Sequence, residues 1–92
     1  MTLSDDIKST PEGVRIWHEE KFVFDVMELL CAKMRQAGLV PRDLARLAGV
    51  DESHLLCVLR DEAPLETRTL ARLFFTLGYE ITITAKPIEE KA

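Results

Sequence analysis

Four arginines and a short run of polar side chains carry the chemistry this sequence offers. Arg42 and Arg46 stand four residues apart, which on a helix puts both guanidinium groups on one exposed face. Arg60 and Arg68 follow. A guanidinium is a planar fork of donors that fits phosphate oxygens, or the O6/N7 edge of guanine. For Arg42 and Arg46 the alternative reading is a solvated face. Between them lie Glu52, Ser53, His54 and Cys57. A glutamate accepts from cytosine N4, a serine hydroxyl bonds to donors or acceptors, and a cysteine offers apolar contact such as that with a thymine methyl. His54 reads either as a base-facing group or as an ordinary surface histidine.

Other kinds of chemistry lack their residues. His18 and His54 lie far apart, and neither makes a metal-ligand spacing with Cys31 or Cys57. His18-Glu19-Glu20 is not the HExxH zinc pattern, and no Gly-rich phosphate loop, Ser/His/Asp order or paired-carboxylate motif occurs. Asp61-Glu62 reads as a solvated loop. The expectation is no enzyme, no cofactor and no metal.

The polar groups need elements to position them. Within residues 41–60, PRDLARLAGVDESHLLCVLR, Leu44 and Ala48 share an apolar face, with Ala45 small beside them and Leu47 close by. Gly49 interrupts, and Val50, Leu55, Val58 and Leu59 form a second apolar set. Two short helices joined by a tight turn give this pattern. Gly49 supplies the positive φ of the turn, which a β-carbon resists by roughly 1–2 kcal/mol. Asp51 is placed to cap the helix expected over 52–60. A further helix is expected over 67–77, with Leu70, Leu73, Phe74 and Leu77 inward and Gly78 as its stop.

Upstream, Thr10-Pro11-Glu12 reads as an N-cap, a first-turn proline and an acid near the helix dipole. A helix should run from there to Ala37 and end at Gly38, although Gly13 leaves a start near His18 open. Ile16, Val23, Met27, Leu30, Met34 and Ala37 make one stripe, widened by Phe22, Val26 and Leu29, and this stripe is expected to be core. Trp17, Phe24 and Cys31 recur every seven residues on another face, either covering the C-terminal segment or making a dimer contact. At the other end, residues 79–85, YEITITA, alternate strictly and predict a strand with Tyr79, Ile81 and Ile83 on one face. A lone strand in a helical domain needs an edge, and its copy in a second subunit is the simplest supply. Trp17, Phe24, Tyr79, Ile81 and Ile83 are therefore the candidate homodimer contacts.

The residues from 41 onward resemble the Xre/Cro/C1-type helix-turn-helix family, the lambda-repressor-like regulators and antitoxins. Its pattern is roughly L-A-x-x-x-G-V-S-x-x-x-[LV]-S-x-[LIV]-L, a short loop, then T-L-x-x-[LI]-x-x-x-L-G. Here LARLAGVDESHLLCVL is followed by the loop RDEAPLETR and by TLARLFFTLG. The upstream PEGVRIWHEEKFVFDVMELLCAKMRQAGL is similar to the longer first helix of a small phage- and antitoxin-related branch. The resemblance implies an all-α, repressor-like bundle of four to five helices with a helix-turn-helix and a short C-terminal β-strand. It also implies a cytoplasmic repressor that regulates transcription by binding double-stranded DNA, with a cognate toxin as a further partner if it is an antitoxin. Residues 52–60 would then be the recognition helix, with Glu52, Ser53, His54 and Cys57 facing bases and Arg42, Arg46, Arg60 and Arg68 facing phosphates. The chain departs from the family at Val40 and Pro41, where Ser or Thr and then Gln are usual. Pro41 cannot make the contacts that the glutamine often makes. Asp61 stands where relatives often carry Gly.

Length and charge set the remaining bounds. With 92 residues and 47% hydrophobic content, one modest core is available. The organisation expected is a flexible start (1–9), a helix-turn-helix domain (10–78), the strand (79–86) and a flexible tail (87–92). No apolar run reaches the roughly 18 residues of a membrane span, and the polar start is not a signal peptide. Cys31 and Cys57 are expected to be free. The net charge of −4 is awkward for a nucleic-acid binder. Residues 1–32 hold seven acids and three bases, whereas residues 33–77 hold six acids and seven bases. The acid is concentrated outside the candidate phosphate face. With Pro41, Leu56 and Cys57, it also motivates a competing reading. In that reading the scaffold is a protein-interaction module that sequesters a toxin or other partner and binds little DNA.

Overall fold

The computed structural model describes residues 10–88. Every regular element in that range is a helix: α1 (Pro11–Gln36), α2 (Pro41–Ala48), α3 (Glu52–Leu59) and α4 (Thr67–Thr76). The class is all-α. The flexibility expected of residues 1–9 and of the last residues of the 87–92 tail lies outside the described residues. Those described fall into two units, one of residues 10–28 and 84–88 and the other Leu29–Ile83.

In the first unit, α1 begins where Thr10-Pro11-Glu12 implies. Thr10 Oγ1 accepts from the Gly13 N–H at 2.9 Å. Pro11 occupies the first helical position, where a missing N–H costs nothing, and Glu12 lies in the first turn. Gly13 does not delay the start. Arg15 bonds Glu19 at 2.8 Å and Lys21 bonds Asp25 at 2.7 Å, both at i,i+4 and both more than half exposed. Such pairs add about 0.3–0.5 kcal/mol each.

The expected core stripe of this helix needs correction. Leu30 and Met34 are buried and Val26 and Met27 half-buried, but Ile16, Phe22, Val23, Leu29 and Ala37 are exposed. Helical spacing gathers side chains on one face. Burial needs a second element against that face, and α1 contributes to the buried cluster only from Leu30 onward.

That cluster is the core of the second unit: Leu30 and Met34 from α1, Leu44, Ala45 and Ala48 from α2, Leu55 from α3, and Leu73 and Phe74 from α4. Leu39, Val50, Leu59, Leu65, Leu70, Leu77 and Ile81 pack around it. α2 is central, packed against both α3 and α4. Ala45 has no side chain beyond Cβ, and this lets neighbouring elements approach α2 closely. No polar side chain among the described residues is buried. Hydrophobic burial therefore carries the fold, at roughly 1.5–3 kcal/mol for each large side chain withdrawn from water.

All four described helices stop in the same way. In each, the N–H of a left-handed residue and that of the next residue bond back to two of the helix's last carbonyls, the Schellman arrangement. The left-handed residues are Gly38, Gly49, Asp61 and Gly78. Leu39, Val50 and Tyr79 follow the glycines, but Glu62 follows Asp61. Asp61, at φ +61°, is the only non-glycine with positive φ among the described residues.

No strand forms among the described residues. The Tyr79 N–H is used to close α4, bonding to the Phe74 carbonyl at 2.8 Å. Lys33 Nζ sits 4.5 Å from the centre of the Tyr79 ring, and Ile81 packs against the core. A strand needs a ladder partner, and one chain offers residues 79–85 none.

Candidate nucleic-acid interface

The site is built on α2, the Gly49 turn and α3. Val40 precedes α2 in an extended conformation without a side-chain cap, and Pro41 fixes its first turn. At its other end Gly49 takes φ +71°, with its N–H on the Arg46 carbonyl and that of Val50 on the Ala45 carbonyl. A β-carbon added at Gly49 would meet nothing within 4 Å. The glycine is there for its backbone conformation, not for space. Asp51 then opens α3: its Oδ2 accepts from the His54 N–H at 2.8 Å. One oxygen of its carboxylate thus caps the helix, and Glu52 follows as the exposed acid of the α3 first turn.

Leu55 and Val58 bury the inner face of α3, at 2% exposure each. The outer face holds Glu52, Ser53 and His54, all exposed, followed by half-buried Leu56 and Cys57. Four of these five outer-face positions are therefore polar or small. Arg60 is exposed at the C-terminal end of α3.

The arginines are open as well. Arg42, Arg60 and Arg68 are exposed and have no ion pair or side-chain hydrogen bond among the described residues. Arg46 lies 3.5 Å from Asp43, a loose pair in which the arginine is 72% exposed. Arg68 is in the first turn of α4, whose preceding residue Glu66 provides no side-chain cap. Unfilled N–H groups and a guanidinium thus lie together there, the chemistry that holds an anion.

The candidate dimer residues are divided. Phe24, Tyr79 and Ile83 are exposed, Trp17 is half-buried with its ring edge-on to His18, and Ile81 is engaged by its own chain. Cys31 and Cys57 are free thiols, both half-buried. No group of three or more His, Cys, Asp or Glu among the described residues is arranged to hold a metal. No helix there is long and apolar enough to cross a membrane.

Two exposed residues went unassigned in the sequence reading. Arg72 follows Arg68 by four residues and so shares its face. That spacing is legible. Phe75 is 79% exposed beside buried Phe74, and adjacent phenylalanines carry no local signal for which one turns out.

Comparisons with protein-family models, with curated proteins and with solved structures find no match to this chain.

Proposed function

We propose that the chain is a sequence-specific DNA-binding transcriptional regulator of the Xre/Cro/C1 helix-turn-helix type. It would be a phage-type repressor or an autorepressing antitoxin, acting in the cytoplasm as a homodimer on a palindromic operator. The observation that carries this reading is the α2–Gly49–α3 corner. Its inner faces are closed by Leu44, Ala45, Ala48, Leu55 and Val58, and its outer face presents Arg42, Arg46, Ser53, His54 and Arg60 to solvent. In this reading α3 enters the major groove with Glu52, Ser53, His54 and Cys57 toward base edges. The four arginines take phosphates and fix the register. Residues 79–85 pair with their copy as a two-stranded ribbon, and half-sites lie about one DNA turn apart.

The test is fluorescence anisotropy with the DNA immediately upstream of the coding sequence. A dimer covering roughly six to eight phosphates gives a log-affinity against log-salt slope of about −5 to −7. Removing Arg46 weakens all sequences alike and flattens that slope by about one per subunit. Replacing Ser53 costs about 1–3 kcal/mol on the operator and little elsewhere.

The interaction-module reading rests on its own observation. Ile16, Phe22, Val23 and Leu29, on one side of α1, are all exposed, an apolar surface suited to a protein partner. Absence of binding at about 50 mM salt, where phosphate contacts are strongest, together with a co-purifying protein, would decide for that reading.

A further inference from the structure

An open groove of about 580 Å³ follows the end of α4, lined by Ala71, Phe75, Gly78, Tyr79, Glu80 and Ile81. Phe75 is 79% exposed, and Ile83, which follows shortly after the last lining residue, is 83% exposed. All of these residues belong to the Leu29–Ile83 unit. One side of the groove is therefore chain that also carries an uncovered apolar side chain just beyond it.

That same stretch of chain has hydrogen-bonding capacity to spare. The Tyr79 N–H is committed to the Phe74 carbonyl of its own chain. In an extended segment successive N–H groups point to opposite edges, so those of Glu80 and Thr82 belong to the edge that Tyr79 turns away from α4. Neither residue has a hydrogen-bond partner among the described residues. An unpaired edge of this kind takes another strand.

We infer that the occupant of the groove is Ile83 of the partner subunit, delivered by an antiparallel ribbon whose two-fold axis passes through the Ile81 pair. Symmetry leaves few registers to choose from. Residues directly opposite each other share a face, so an axis between two residues would set Ile81 and Ile83 against Glu80 and Thr82. Centring on Glu80 would oppose two unpaired carboxylates. Centring on Thr82 would set Tyr79 against Ala85, whose methyl fills little of the groove. Centring on Ile81 sets Tyr79 against Ile83 of the partner subunit, and symmetry makes that contact twice. Directly opposed β-carbons lie about 4.5–5.5 Å apart, and Tyr79 lines the groove, so the isoleucine arrives on the groove's own wall. The charges at the groove accept this register. Glu80 meets Thr82 of the partner subunit, a hydroxyl and not a second acid. Arg72, exposed and without an ion pair among the described residues, meets no second cation, because residues 79–83 carry none. This contact deepens the homodimer of the proposed regulator and rests on the pairing of residues 79–85 in that reading, independent of DNA.

The test uses exposed positions, so the fold is not at stake. In a Cys31→Ala, Cys57→Ala background, full-length chains carrying Glu80→Cys or Thr82→Cys are oxidised singly and as an equal mixture. The mixture should give about tenfold more disulfide-linked dimer than either chain alone, because only it places two sulfurs directly opposite. Linking of the Thr82→Cys chain or the Glu80→Cys chain to itself as readily as in the mixture overturns the register. Sedimentation of otherwise unaltered chains tests the groove. Phe75→Ala and Ile83→Ala should each weaken dimerisation about tenfold, and the double variant should be no more than about threefold weaker than either, because the two side chains form one contact. No effect, or effects that multiply, overturns the placement of Ile83 and leaves the homodimer standing. A monomeric wild type at tens of micromolar removes the homodimer as well.

Discussion

Residues 10–28 and residues 29–83 are both rich in apolar side chains but use them to very different ends. The first stretch holds Ile16, Phe22, Val23 and Phe24 on a helix fastened by a cap and by exposed ion pairs, and all four remain exposed. The second brings three further helices around Leu30, Leu44, Leu55 and Leu73, and all four are withdrawn from water. Amphipathic spacing is common to both. What differs is the presence of a second element against the apolar face, so the pattern marks a face that wants cover and does not say what covers it.

Removing one large side chain from each stretch tests this contrast most severely. Leu30→Ala and Leu55→Ala should each cost about 2–5 kcal/mol, because each opens a cavity in a closed core. Ile16→Ala should cost less than about 0.5 kcal/mol. Urea denaturation of dilute protein measures all three, and a large loss at Ile16 would show that the exposed stretch is covered after all. A smaller effect is expected from the backbone of the closed unit. Gly49→Val should cost at least about 1–2 kcal/mol from the left-handed conformation, since an added β-carbon meets nothing within 4 Å. Asp51→Ala should cost about 1 kcal/mol by leaving the His54 N–H without its acceptor, seen as a lower thermal midpoint. The smallest effect belongs to the exposed stretch. Glu19→Gln should remove about 0.3–0.5 kcal/mol at low ionic strength and almost nothing in 1 M salt, since the Arg15–Glu19 pair is open to screening.

Much of the fold was legible because its helix ends are written in single residues. Thr10 and Pro11, Asp51, and the glycines at 38, 49 and 78 start or stop helices within a residue or two of where their chemistry places them. Helix length and inward face followed for α2, α3 and α4, where Leu44, Leu55 and Leu73 occupy the expected core. The N-terminal half of α1 was not legible, since the spacing that buries Leu30 is the same spacing that leaves Val23 exposed. The tail was legible only in part, for a related reason. Strict alternation over 79–85 describes a strand's two faces but not the edge it pairs with, and within one chain Tyr79 caps α4 while Ile81 joins the core. For the candidate site, exposure of Arg42, Arg46, Arg60 and Arg68 follows from their being the charged positions left over once the apolar stripe is assigned. That Phe75 and not Phe74 turns outward depends on how α4 packs, and no local pattern encodes that.

The four helix stops share one hydrogen-bond pattern, but they are not equally secure. Leu39 and Val50 clasp their stops with apolar contacts to the core, and both follow a glycine that takes its left-handed turn freely. The stop of α3 has an aspartate in the strained seat and exposed Glu62 where the clasp would be. Its closing bonds, from Asp61 to Val58 and from Glu62 to Cys57, are therefore the first to open in native-state fluctuations. Hydrogen exchange at the Glu62 amide should outpace that at Val50, although the two donate equivalent bonds. The element that carries Ser53 and His54 is in this respect pinned at its start and loose at its end. The Asp61 and Glu62 amides can open to solvent while buried Val58 and the Asp51 cap keep the helix itself in place.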